Sequence, residues 1–271
     1  MRMSREYVEP LYFGTNKKSL FGIYHTPQGG PTRDCGIVLC YPLGNEYINS
    51  HRAYRQLAYR LSQVGFPVLR FDFYGCGDSD GDCEQGEMRQ WLTDIAAAIR
   101  EIRGKSGVRQ VCLVGLRLGG TLAAMAGAAW GDLDGLVLWD PVINGRTYLE
   151  ELRALHQERL RIVFRDELQD TLRAERPTEI IGFPLTPSLL TALEHLDLLA
   201  MQQKPAQNIL VIASHEGACA GQLREHLKSL GARLAYQHLA SPQIWRGETY
   251  TVLVPHQLLQ SVVAWLAEVY S

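Results

Sequence analysis

The feature that most narrows what this chain can fold into is an apolar run, VRQVCLVGL at about 108–116, that meets the small-residue segment LGGTLAAMAGAAW (118–130) across a single residue, Arg117. A short apolar run rich in β-branched residues reads as a buried strand, and the alanine-rich segment after it has the length of a helix. Strand and helix with almost no loop between them need a sharp turn. Gly115, Gly119 and Gly120 supply the small residues that let the two backbones approach closely there.

The rest of the chain repeats the alternation. GIVLCYP (about 36–42), FPVLRFDF, GLVLWDPV (about 135–142), NILVIAS (about 208–214) and ARLAYQHLA read as further strands. Between them lie amphipathic helices: one at about 50–65 opened by Ser50 and closed by Gly65, one through Trp91, Ile95 and Ile99, and a last one in VPHQLLQSVVAWLAEVY. EPLYFGTN and SLFGIYHTP alternate apolar with polar residues, as an antiparallel hairpin on one edge would. Strands alternating with helices predict an α/β fold with a mostly parallel sheet of eight strands and helices on both faces. From 143 to 207 the strand pattern stops, and helical periodicity in TYLEELRALHQERLRIVF and SLLTALEHLDLLA flanks the turn segment GFPLTP. That stretch reads as a helical cap inserted over the carboxyl ends of the strands, leaving 1–142 and 208–271 as the core domain.

A chain of 271 residues, 46% hydrophobic, supports one substantial core. Lys+Arg 27 against Asp+Glu 29, with no basic stripe, argues against a nucleic-acid partner. No apolar run has the length of a membrane span or a signal peptide, so the expected location is cytoplasmic. The six cysteines lack a Cys-x-x-Cys pair and read as reduced thiols; no metal site and no cofactor is expected.

Four segments, CYPLGNEY, LRFDFYGCGDSDGD, LVGLRLGG and LVLWDPVINGRTYLEEL, resemble α/β hydrolases of the serine-aminopeptidase-like and lysophospholipase-like branch. More narrowly, they resemble hydrolase-like proteins that accompany exosortase and acyl-metabolism gene clusters. The resemblance covers nearly the whole chain and implies the α/β-hydrolase fold with a cap. It also implies a Gly-x-Ser-x-Gly nucleophile elbow, and here Arg117 occupies the serine position. An arginine cannot be deprotonated in a protein and forms no acyl-enzyme. Where the family places its acid the chain reads ASHEGACAG, offering Ser214, His215 and Glu216. Where the family places its histidine, SPQIWRGETY has none, and His256 is the nearest.

Three expectations follow. The first is a pseudohydrolase that binds an acyl or anionic small ligand, or a partner protein, through Arg117 and the old oxyanion hole. That hole is formed by the N–H of Leu118 with that of Leu43 or Gly44, and Glu46 and Trp245 stand beside it. The second is an acyl or thioester hydrolase or acyltransferase in which Arg117 polarises a carbonyl and Glu216, His215 or His256 moves protons. The third is a structural subunit paired with an active hydrolase; a carrier-protein partner and a homo-oligomer stay open. Asp140, at the end of the neighbouring strand, is the expected carboxylate partner of Arg117, with Glu46 and Glu216 as rivals. Asp72, Asp78 and Ser79 are expected to brace the site, and Cys76 is a remote alternative nucleophile.

Overall fold

The computed structural model describes residues 8–131, 133–164, 179–215, 218–247 and 253–271. An eight-stranded sheet runs through them. β1 (Val8–Thr15) and β2 (Lys18–His25) form the expected hairpin. β2 lies antiparallel to β4 (Val68–Phe71), and β3 (Cys35–Cys40), β5 (Gln110–Leu116), β6 (Gly135–Trp139), β9 (Asn208–Ala213) and β10 (Arg233–His238) continue in parallel. The order is β1-β2-β4-β3-β5-β6-β9-β10.

Period-two alternation divides the core between the two faces. Along β3, Cys35, Ile37 and Leu39 face the apolar stripes of α1 (Asn45–Gln63) and α7 (His256–Val269). Val38 and Cys40 face the opposite way, toward α2 (Met88–Ser106), α3 (Leu118–Trp130) and α6 (Ala218–Ser229). α3 is apolar nearly all round, which suits a helix packed on several sides.

This order fixes where a ligand can bind. From β3 the chain turns one way to β4, and β5 lies on the other side of β3, so the loops leaving β3 and β5 diverge and open a crevice at their carboxyl ends. Over it lies the inserted segment. α4 (Gly145–Phe164) is capped by Asn144, whose Oδ1 accepts the N–H groups of Arg146 and Thr147 at 3.0 and 3.2 Å. A small hairpin follows, β7 (Glu179–Ile180) and β8 (Phe183–Pro184), turning through Ile181 and Gly182 at φ 51° and 79°. α5 (Pro187–Glu194) then starts at a Thr186 cap with proline in its first turn.

Three local expectations need correction. The first helix begins at Asn45, not after Ser50; Ser50 is fully buried inside it and donates to the Tyr47 carbonyl at 3.3 Å. The helix expected over SLLTALEHLDLLA breaks at His195, and Leu198–Ala200 form a separate 3-10 turn capped by Asp197. Two very short strands also occur where none was expected. Residues 165–178 of the insert lie outside the described ones. No helix among the described residues is long and apolar enough to cross a membrane.

Candidate functional site

Arg117 ends β5 and begins α3 with φ 52° and ψ −127°, a backbone conformation that side-chain-bearing residues rarely adopt. Sterics impose it. A Cβ on Gly119 would fall 2.3 Å from the carbonyl oxygens of Cys40 and Tyr41, and one on Gly115 would fall 2.4 Å from Gly120 Cα. The turn is therefore as tight as the glycine spacing implied. Among the described residues only two other non-glycines have positive φ, Asp140 (42°) and Ile181 (51°). All three line cavities beneath the insert, and strain of this kind concentrates where a site requires it.

The arginine side chain is 7% exposed and meets two carboxylates. Its Nε donates to Glu46 Oε1 at 3.1 Å and one terminal nitrogen donates to Glu151 Oε2 at 2.5 Å. Glu46 Oε2 in turn accepts the Tyr148 hydroxyl at 3.0 Å. The guanidinium carbon lies 5.2 Å from the ring centroids of both Tyr148 and Trp245, so two aromatic rings flank the charge. Burial pulls the arginine pKa down, but the carboxylates of Glu46 and then Glu151 outweigh it and hold the net shift upward. Burial pushes Glu46 above the ordinary carboxylate range even beside Arg117.

Asp140 is not the partner of Arg117. Its Oδ1 accepts the Ser214 N–H at 2.9 Å and lies 3.3 Å from His215 Nδ1, while Oδ2 has no hydrogen-bond partner among the described residues. Burial raises its pKa, against the pull of the Ser214 N–H. The carboxylate that sequence reasoning missed is Glu151. It comes from α4, and only the register that sinks Tyr148 and Leu149 into the core turns it toward the elbow.

Two cavities flank this cluster. One, of about 300 Å³, is walled largely by apolar groups: Leu43, Gly44, Leu118, Leu152, Leu155 and Phe183 among them, with Glu46 and Tyr148 at one side. It adjoins the expected oxyanion loops, and the Leu118 N–H makes no hydrogen bond among the described residues. The other, of about 180 Å³, is lined by Arg117, Asp140, Glu151, His215 and Tyr148.

The remaining expectations divide. Leu43, Gly44, Leu118 and Glu46 border the apolar cavity, and Glu46, expected as a rival partner of Arg117, is its buried ion-pair partner. Trp245 is 2% exposed and serves as a wall behind Arg117, lining neither cavity. His256 is an exposed residue at the start of α7, held by Arg60 at 2.5 Å, and it is not part of the site. Glu216 lies outside the described residues. Asp72 accepts the Tyr47 hydroxyl and the Asp78 N–H, and Ser79 bonds to Phe21 and Asp72 backbone, so this loop braces. Cys76 lines the apolar cavity, where burial pushes its thiol up to about 12.

Residues 45–178 match the family model described as serine aminopeptidase, S33. No curated protein matches the chain. Among solved structures, the ferulic-acid complex of Est1E from Butyrivibrio proteoclasticus is similar, with a TM-score of 0.68 and 17% identity over 95% of this chain and 98% of that one. The Pyrococcus furiosus esterase Pf2001 gives a TM-score of 0.64 and 14% identity over 97% and 92%. A proline iminopeptidase from Mycobacterium smegmatis gives 0.62 and 12% over 96% and 98%. These identities speak to fold alone, and with the family match they lead to one conclusion: the chain has the α/β-hydrolase fold, with a serine-aminopeptidase-like stretch over residues 45–178.

Proposed function

We propose that this chain is a non-hydrolytic member of the α/β-hydrolase superfamily that holds an acyl or aromatic small molecule in the apolar cavity beneath the insert. The observation that carries the reading is the elbow itself. Arg117 holds the nucleophile's place, cannot attack a carbonyl, and has its charge already matched by Glu46 and Glu151. A guanidinium with two carboxylate partners has little attraction left for an anion, which favours the acyl alternative over the anionic one. The apolar lining next to the Leu118 N–H supports the same choice, since it suits an apolar tail with one carbonyl oxygen to satisfy. Titration with the uncharged apolar dye Nile red tests this. One dye per chain should bind, and Leu152→Trp, which fills the cavity, should weaken binding by roughly tenfold or more. Unchanged dye affinity in Leu152→Trp would exclude the cavity as the site.

A second reading has one observation in its favour. His215 and Asp140 sit together on the smaller cavity, the pairing that a general base acting on water requires. Under it, His215→Ala should abolish a slow ester hydrolysis that the wild-type chain performs. Absence of any wild-type hydrolysis above background removes this reading.

A further inference from the structure

The elbow arginine also ties the insert to the core. α4 rests on a fixed base: the Gly145 N–H donates to the Leu196 carbonyl at 2.9 Å, and a Cβ on Gly145 would lie 1.8 Å from the Leu193 carbonyl oxygen, so helix start and α5 end are in tight contact. Thr121 adds a bond from its hydroxyl to the Val142 carbonyl at 2.7 Å. Tyr148 and Leu149 are sunk in the core at 4% and 1% exposure. Beyond them α4 becomes a roof, and Leu152 and Leu155 form part of the ceiling of the apolar cavity.

That roof has few polar ties to the core. Among the described residues, α4 past Tyr148 reaches outside the insert at two points: Glu151 to Arg117, and Arg159 to the carbonyls of Arg246 and Gly247 at 3.2 and 2.9 Å. Glu151 is 37% exposed on its side chain, against 8% for Arg117 and 4% for Glu46. The two halves of the tie are thus unlike. Arg117 is held on the core side by Glu46 and flanked by the Tyr148 and Trp245 rings. Glu151 can exchange Arg117 for water, because a partly solvated ion pair contributes little and breaks without unfolding anything else. If Glu151 leaves, Arg117 stays charge-matched by Glu46.

We propose that Arg117 and Glu151 form a latch. Its opening, with release of the outer Arg159 contacts, lets α4 beyond Tyr148 pivot about its fixed Asn144 end and admits a ligand to the apolar cavity; its closing encloses the ligand. In this role the residue at the elbow controls access where a serine would perform chemistry. The inference rests on the proposed function for the identity of the guarded cavity, and on α4 geometry alone for the latch.

Glu151→Gln keeps shape and removes the charge that Arg117 grips. In hydrogen–deuterium exchange of the full chain, amides from 150 to 160 should exchange roughly tenfold faster in this variant, with β5 and α3 amides unchanged. Unchanged exchange in α4, or equal loosening of α3, would overturn the latch. Stopped-flow mixing with Nile red supplies the second arm: association and dissociation should both quicken by roughly fivefold or more while Kd stays within about twofold. A Kd that rises with an unchanged association rate would mean Glu151 contacts the dye directly and does not gate it, which overturns the latch. If wild type binds no Nile red, the cavity reading fails and the exchange data alone decide the latch.

Discussion

At the scale of single residues, the balance around Arg117 is one buried cation against a buried and a half-exposed carboxylate. Glu46→Ala should therefore destabilise the fold by roughly 3–5 kcal/mol in urea unfolding, the usual result of stranding one member of a buried pair. Asp140→Asn should change it by only about 1 kcal/mol, since it keeps an oxygen for the Ser214 N–H. Equal effects would show that Asp140 shares the arginine after all. Sequence spacing located Arg117 and its glycine frame because both belong to one continuous segment. It could not supply Glu151, whose 34-residue separation from Arg117 is closed only by the rotation of α4. A second buried network gives a pH prediction. His25 Nε2 accepts from Arg70 Nε at 3.1 Å, and burial, then the Arg70 charge, lowers the His25 pKa from 6.5 to about 4. A histidine depressed in the folded state contributes stability that is fully present above 6.5 and lost as pH falls toward 4. Relative to His25→Gln, which retains a polar group but cannot titrate, wild type should lose about 3 kcal/mol more between pH 7 and 4. Glu46, Asp72, Asp94 and Asp140, all raised chiefly by burial, act in the opposite sense and are common to both proteins. Parallel pH profiles for the two would contradict the assignment.

At the scale of elements, the strands were legible because burial on both faces leaves short continuous apolar runs, bounded by Gly, Pro and Asp. Element ends were harder. The true start of α1 is set by Gly44 at φ 59°, against the Phe183 ring of β8, a tertiary contact that the polar run NEYINS does not announce. The break after Glu194 arises because Leu196 and Leu198 are buried by packing of the insert on the core, where a continuous helix would place them differently. The β5–α3 junction supplies the prediction at this scale. Gly119→Ala must push backbone against backbone and should cost roughly 3 kcal/mol or more, whereas Gly131→Ala, left-handed but in open space at the end of α3, should cost about 1 kcal/mol. The reverse order in thermal or urea unfolding would mean that the elbow relaxes far more readily than its contacts imply.

At the scale of the whole molecule, the sheet order puts two loops of one crevice, after β3 and after β5, in the positions where related folds assemble a nucleophile and its oxyanion donors. That much followed from strand order and glycine spacing; in this chain Arg117 occupies the elbow position. The crevice divides into an apolar cavity and a smaller charged one, with the Glu46–Arg117–Glu151 cluster between them. SPQIWRGETY contains no histidine, and His215, which lines the smaller cavity with Arg117, pairs with Asp140 from the strand beside it. On the proposed non-hydrolytic reading, a serine restored at position 117 would find no histidine in the SPQIWRGETY segment to activate it, so Arg117→Ser should not restore hydrolysis. Hydrolysis of an activated 4-nitrophenyl ester by Arg117→Ser, measured beside wild type with a fluorophosphonate label and intact mass as a check, is the most direct test. Wild type should take no adduct, and the Arg117→Ser rate should lie within about tenfold of it. A stoichiometric adduct on wild type, or a rise of several orders of magnitude in the Arg117→Ser rate, would contradict the non-hydrolytic reading.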